Sequence, residues 1–295
     1  MTLATRAPGI CAGYADARLI TRADGLARYD AVEQGTERRV ELKVSETSAP
    51  HLREALATES SILAALGSHP YIVTLYQRTE TDDGRPMLVL ERCWGSFAEL
   101  FQFVRTPAPS AVRLAIKIAG ALETAHRAGV VHTSIRPQNL ALTEWNEPVV
   151  RNFETATRVV DRSRAVPLLH DPSVHTAPEV LLGDRATQAT DVYGLAATLY
   201  ELVAGRSIFR SYAGESAAEI SAHVFCETVA PLSAADVPLE LSDLLLWALN
   251  ADPTARPPSA SWLAEELRRI EDHNGWPRTP MIVGATTVPG GWMTR

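Results

Sequence analysis

The feature that most limits how this chain can fold is a change of period at Cys93. Upstream of it, apolar residues come in short strand-like runs at 14–20, 27–33 and 38–45, with the Gly-bearing turn Gln34-Gly35-Thr36 between the last two. One segment there is helical: 51–66 sets Leu52, Leu56, Ile62, Leu63 and Leu66 near helical spacing and ends at Gly67-Ser68-His69-Pro70. Two more strands, 71–77 and 86–91, flank the turn Asp82-Asp83-Gly84-Arg85. Downstream the period is helical at 110–128, 190–204, 239–249 and 259–271. The pattern predicts two unequal lobes, a strand-rich one with a single helix and a larger, mainly helical one.

Composition narrows the function. The chain has 295 residues, 46% of them hydrophobic, enough for a real core. Its net charge is −7, from 28 Lys and Arg against 35 Asp and Glu, which argues against a nucleic-acid partner. The longest apolar run, 244–249, is far short of a membrane span. No secretory stretch opens the chain, so a cytoplasmic setting is expected. The three cysteines, Cys11, Cys93 and Cys226, form no CxxC pair, so neither a disulfide framework nor a metal site is expected. The stretch 152–176 has no period and reads as a long loop, and long loops of this kind are usually functional or disordered. Residues 273–295, with three prolines and four glycines, read as a flexible tail or linker.

Four ordered motifs carry a family resemblance over roughly 14–272. His132-Thr133-Ser134-Ile135-Arg136-Pro137-Gln138-Asn139 resembles the catalytic loop HRDxKPxN of protein kinases. Thr176-Ala177-Pro178-Glu179 resembles the end of their activation segment, 191–202 the buried helix that follows, and Asp252-Pro253-Thr254-Ala255-Arg256-Pro257 a late motif of the large lobe. The resemblance implies an α+β, bilobal protein-kinase-like fold. It would have a small antiparallel N-lobe (1–92), a mainly helical C-lobe (93–272) and the tail.

Within that resemblance some functional positions are filled and others are not. Lys43, in Val40-Glu41-Leu42-Lys43, falls at the strand lysine; the chain has only one other, Lys117. Glu59, with Glu54 as its rival, matches the helix glutamate that pairs with it, and Asn139 matches a metal-holding asparagine. Asn139 also reads simply as a loop residue bonded to nearby backbone. Ser134 stands where the catalytic aspartate belongs, and a hydroxyl is no proton acceptor near neutral pH without another base. Asn152-Phe153-Glu154 replaces DFG, so a neutral amide stands in for a metal-binding carboxylate. Phe153 is expected in the core, with Glu154 projecting elsewhere. Thr133 replaces an arginine that reads activation-loop phosphate. The stretch 21–28 lacks all three glycines of the phosphate-covering loop, and Arg28 and Glu41 replace small apolar residues. Residues i and i+2 of a strand share a face, so Glu41 lies beside Lys43. Arg28, Glu41, Lys43 and Glu59 are therefore expected to form an ionic plug; the plainer alternative turns Arg28 and Glu41 to solvent.

The parts the family needs for folding are present. Leu63, Leu75, His132 and Phe153 match its hydrophobic column, Asp191 the anchor of that column, and Glu179 with Arg256 its buried ion pair. The resemblance therefore implies a pseudokinase with no catalytic residue, no metal and no cofactor. It would act as a scaffold or allosteric regulator in bacterial Ser/Thr phosphosignalling, with an active Ser/Thr kinase and a phosphothreonine-binding FHA protein as partners. Thr279, Thr286 and Thr287 are the phosphosite candidates; Thr155, Thr157, Ser173 and Thr176 read as plain loop hydroxyls. A further resemblance, to the intracellular pseudokinase region of mycobacterial MviN-type lipid II flippases, implies regulation of peptidoglycan synthesis and a cytoplasmic domain of a larger membrane protein; the sequence leaves both a free-standing protein and an excised domain open. The alternative is an unconventional kinase-fold transferase that binds ATP weakly through Lys43, Glu59 and Asn139.

Overall fold

The computed structural model describes residues 13–101, 104–158, 173–209 and 215–284. Along the chain run β1 (Tyr14–Ala23), β2 (Leu26–Glu33), β3 (Arg38–Ser45), α1 (Pro50–Leu66), β4 (Leu75–Glu80), β5 (Pro86–Glu91) and β6 (Cys93–Ser96). There follow α2 (Phe97–Phe101), α3 (Ala108–Arg127), β7 (Val130–Val131), β8 (Leu140–Thr143), β9 (Pro148–Val150), β10 (Thr157–Arg158) and α4 (Pro178–Leu181). The last elements are α5 (Gln188–Ala204), α6 (Ala217–Cys226), α7 (Leu239–Ala248) and α8 (Ala260–His273). These fall into two compact units: the chain up to Gly95 together with Ala141–Glu154, and Ser96–Leu140 together with the chain from Thr155 on.

The first unit is built on a five-stranded antiparallel sheet of order β1-β2-β3-β5-β4. Alternation sorts its side chains. Ala27, Tyr29, Ala31, Val40, Leu42, Val44, Met87 and Val89 form one buried apolar cluster. The intervening residues, among them Arg28, Glu41 and Lys43, take the opposite face. β1 and β2 meet at a two-residue turn, Asp24-Gly25, with φ of 54° and 74°. Left-handed φ at both positions is the geometry of the tight hairpins that follow strand twist. α1 begins with Pro50 in its first turn, where a missing N–H costs nothing, and ends at Gly67 with φ of 65°. Its buried stripe includes Leu52, Leu56, Glu59, Ile62, Leu63 and Leu66.

Two sequence expectations shift here. The strand expected at 71–77 begins only at Leu75, because Val73 donates to Val150 O at 3.0 Å and Val150 donates to Tyr71 O at 2.9 Å. Those bonds tie 71–73 to β9 instead of β5. They also draw Ala141–Glu154 into the first unit, whereas the sequence places 93–272 in the second.

The second unit packs α3 against α8 and α5. Most of α5 is buried, which suits its largely apolar composition. Asp191 accepts the backbone N–H groups of His132 (2.9 Å) and Thr133 (2.8 Å) and lies 2.8 Å from His126 Nε2. Arg256 meets Glu179 with two parallel bonds of 2.9 and 2.7 Å, both side chains buried. α6 went unread in the sequence; only Val224 of it is buried, so no apolar stripe announces it.

The tail expected from 273 onward does not start there. Residues 274–284 pack along α3 and α8. Thr279 is 4% exposed, its N–H donates to Glu271 Oε2 at 2.7 Å and its hydroxyl to Oε1 at 2.5 Å. Gly284 N–H donates to Thr124 Oγ1 at 3.0 Å. At Gly120 a Cβ would lie 2.4 Å from Ile282 O, so the segment crosses α3 where no side chain intervenes. Thr279 is accordingly corrected as a phosphosite: its hydroxyl is a buried donor to a carboxylate. Thr286, Thr287, Trp292 and Cys11 lie outside the described residues.

Candidate functional site

The charged face of the five-stranded sheet is the candidate site, and it is assembled entirely within the first unit. β2 and β3 pair with Arg28 opposite Lys43 and Asp30 opposite Glu41. Two cations facing each other across a ladder repel unless anions separate them. Here Arg28 Nη1 donates to Glu41 Oε1 at 2.8 Å. Lys43 Nζ donates to Glu59 Oε2 at 2.6 Å, to Glu154 Oε2 at 2.8 Å and to Asn152 Oδ1 at 3.3 Å. Arg28 Nη2 also donates to Asn152 Oδ1, and Arg151 Nη1 lies 3.4 Å from Glu41 Oε2. Arg28, Glu41, Lys43, Glu59 and Glu154 are all buried, with Lys43 1% and Glu59 0% exposed. Three cations (Arg28, Lys43, Arg151) thus meet three carboxylates (Glu41, Glu59, Glu154), a balance that buried charge requires.

The side chains expected to form the plug, Arg28, Glu41, Lys43 and Glu59, lie together as a buried ionic cluster, with Arg28 and Glu41 turned inward and not to solvent. Glu59, not Glu54, is the partner of Lys43. Glu154 is the member the sequence missed. The sequence admits it as a source of charge but leads one to expect a direction different from that of its neighbours. The backbone redirects it: Asn152 has φ of 70°, and Phe153–Thr155 form a single 3-10 turn. That turn buries Phe153 and brings Glu154 back to Lys43. Phe153 N–H donates to Glu59 Oε1 at 3.2 Å, so the one helix carboxylate receives both the lysine and the loop backbone.

Electrostatics follow from this packing. Burial works against the charge of Arg28, yet Glu41, then Glu154 and Glu59, hold its pKa above the ordinary value. For Glu154, burial favours the neutral acid, but the charge and hydrogen bond of Lys43, with Arg28 behind them, pull it down to about 2. Glu59 moves the other way: burial raises it, and Lys43 offsets that only in part. Burial, reinforced by Glu41, pushes the Cys93 thiol up to about 12, so this buried cysteine is no nucleophile.

The remaining sequence-predicted residues lie in the second unit. Asn139 Nδ2 donates to Ser134 O at 2.7 Å and to Ser134 Oγ at 3.1 Å. Its amide nitrogen is thus engaged with its own loop. Thr133 has φ of 71°, its N–H goes to Asp191 and its hydroxyl donates to Thr155 O at 3.1 Å. His132 is fully buried, as are Leu63 and Phe153 of the first unit, while Leu75 is half-buried. Among the described residues no group of three or more His, Cys, Asp or Glu is placed to hold a metal ion, and no helix is long and apolar enough to cross a membrane.

Comparison with known proteins agrees with these motifs. A protein kinase domain model matches residues 26–267. The chain is 30% identical over 278 residues to the serine/threonine-protein kinase PknK of Mycobacterium tuberculosis, which covers 90% of this chain and 24% of that protein. It is 32% identical over 255 residues to the serine/threonine-protein kinase PkaB of Streptomyces coelicolor, covering 79% and 57% of the two chains. With the serine/threonine-protein kinase PknB of Mycolicibacterium smegmatis the identity is 30% over 232 residues, covering 75% and 36%. The chain therefore spans about a quarter of PknK, 57% of PkaB and 36% of PknB, less than two thirds of each.

Proposed function

This chain belongs to the protein kinase domain family, and from that premise we propose that it is a member that does not transfer phosphate and works instead through protein contacts. The observation that carries the reading is the state of Lys43. An ammonium that is to hold nucleotide phosphates must have donors to spare. Here two buried carboxylates and an amide oxygen already accept from it. Three features support the same reading. Asn152 Oδ1 faces two cations, a surrounding that opposes a metal dication and does not fit the family's magnesium. The Asp24-Gly25 hairpin leaves no glycine-rich run of N–H groups to cradle phosphate. Ser134 supplies no carboxylate base.

The finer reading is a scaffold or allosteric regulator in bacterial Ser/Thr phosphosignalling, phosphorylated by an active kinase and docked by an FHA-domain protein. With Thr279 buried, Thr286 and Thr287 are the acceptors this reading retains. The pair Lys43–Glu59 at 2.6 Å favours one second reading, a weakly ATP-binding transferase, because that pair is what the family's nucleotide chemistry uses.

Thermal denaturation with millimolar ATP and magnesium or manganese separates the two. A ligand at about 100 times its Kd adds about 2.7 kcal/mol. The expected outcome is no shift in Tm and no labelled product from γ-labelled ATP. A metal-dependent rise, or transfer lost in Lys43→Met, overturns the proposal. Mass spectrometry after incubation with an active Ser/Thr kinase tests the docking reading, which fails if neither Thr286 nor Thr287 is modified.

A further inference from the structure

Four consecutive residues, Arg151 to Glu154, are each bonded to the sheet or to α1. Arg151 reaches Glu41, Asn152 accepts from Arg28 and Lys43, Phe153 N–H goes to Glu59, and Glu154 accepts from Lys43. The sequence separations are large, 94 residues for Phe153 and Glu59 and 124 for Arg28 and Asn152. These bonds join the β2–β3 hairpin and α1, which follows it directly, to a segment far along the chain, the one leaving β9.

We propose that this cluster is a conformational tie, a ligand made of the protein's own side chains. It fixes α1 and the segment 151–154 against the sheet in one arrangement, without any small molecule. The argument is one of charge and valence. Glu59 sits within an apolar helical stripe, where its ionised form needs a cation beside it, so the ion pair holds α1 at the register that brings Glu59 to Lys43. Lys43 in turn has a second carboxylate, and that carboxylate is brought home only by the left-handed turn at Asn152. Non-Gly residues adopt such a φ at some cost, and the bonds of Asn152 and Glu154 offset it. Arg28 from the neighbouring strand β2 and Glu41 from β3 itself close the circuit, so no member has an uncompensated charge. The inference goes beyond the functional reading above: the tie operates whether or not the chain transfers phosphate.

Hydrogen–deuterium exchange on the full chain without nucleotide tests it, using Glu154→Gln, which keeps side-chain length, and Arg28→Gln, which shortens the side chain, each removing one charge. The expected result is exchange at least tenfold faster at the amides of 151–154 and in the C-terminal half of α1. The amides of α5, which carry none of these bonds, keep their wild-type protection. Unchanged protection at 151–154 in both variants overturns the tie. So does loss spread equally over α5, which would mark general destabilisation. If either variant fails to fold, the same comparison is made on wild-type protein at pH 7 with and without 1 M sodium chloride. Buried pairs resist salt, so salt-induced loss of protection at 151–154 also counts against a buried tie.

Discussion

At Lys43 a single ammonium is shared by two carboxylates, and that sharing sets what substitution does. Lys43→Met leaves Glu59 and Glu154 buried without their common cation. The expected loss is about 3–5 kcal/mol in urea unfolding, the usual cost of an uncompensated buried charge. The double variant Lys43→Met/Glu154→Gln should be more stable than the sum of its single variants, because it removes charges of both signs; coupling of about 0.5–3 kcal/mol is the range for such neighbours. Much of this was legible in the sequence. Strand alternation alone puts Glu41 and Lys43 on one face, and pairing adds Arg28. The helical stripe through Leu56 and Leu63 admits Glu59 and leaves Glu54 out. Glu154 was illegible for a physical reason: 151–155 has no period, and its direction depends on the φ of one asparagine, which no spacing rule encodes.

At the scale of elements, the segment 274–284 changes what its neighbours tolerate. An Ala for Gly exchange inside a helix ordinarily stabilises by up to about 1 kcal/mol. At Gly120 the sign should reverse, because the new Cβ would meet the carbonyl of Ile282 at 2.4 Å and backbone must move. Gly120→Ala is expected to lose about 1–3 kcal/mol, the range for overpacking, read as a lower urea midpoint with an unchanged slope. The sequence could not reveal this. Three prolines and four glycines without a period read as a tail, and the docking of 274–284 depends on one glycine of α3 and one buried carboxylate, Glu271. The hairpin at Asp24-Gly25 is the opposite case. Its turn signal stands in the sequence, but a strand end placed at 20 hid it, and β1 continues to Ala23.

For the whole molecule, the cluster predicts an acid limb of stability. Glu154 is depressed from 4.5 to about 2, so its contribution is complete above about pH 4.5 and is lost as pH falls toward 2. Glu59 is raised, so its term has the opposite sign: it favours the fold at low pH and weakens as pH rises through its folded value. In urea unfolding between pH 5 and pH 2.5, Glu154→Gln should remove up to one proton's worth of slope, about 1.4 kcal/mol per pH unit. An unchanged slope would show that Glu154 is not ionised in the cluster. The packed C-terminal segment also bears on how the gene is trimmed. The family match runs from 26 to 267, whereas β1 begins at Tyr14 and the docked residues run to Gly284. A truncation made to the family limits would strip an edge strand from one unit and unroof the α3 ridge at Gly120 in the other. Insolubility of such a fragment would then report on where it was cut, not on the native protein.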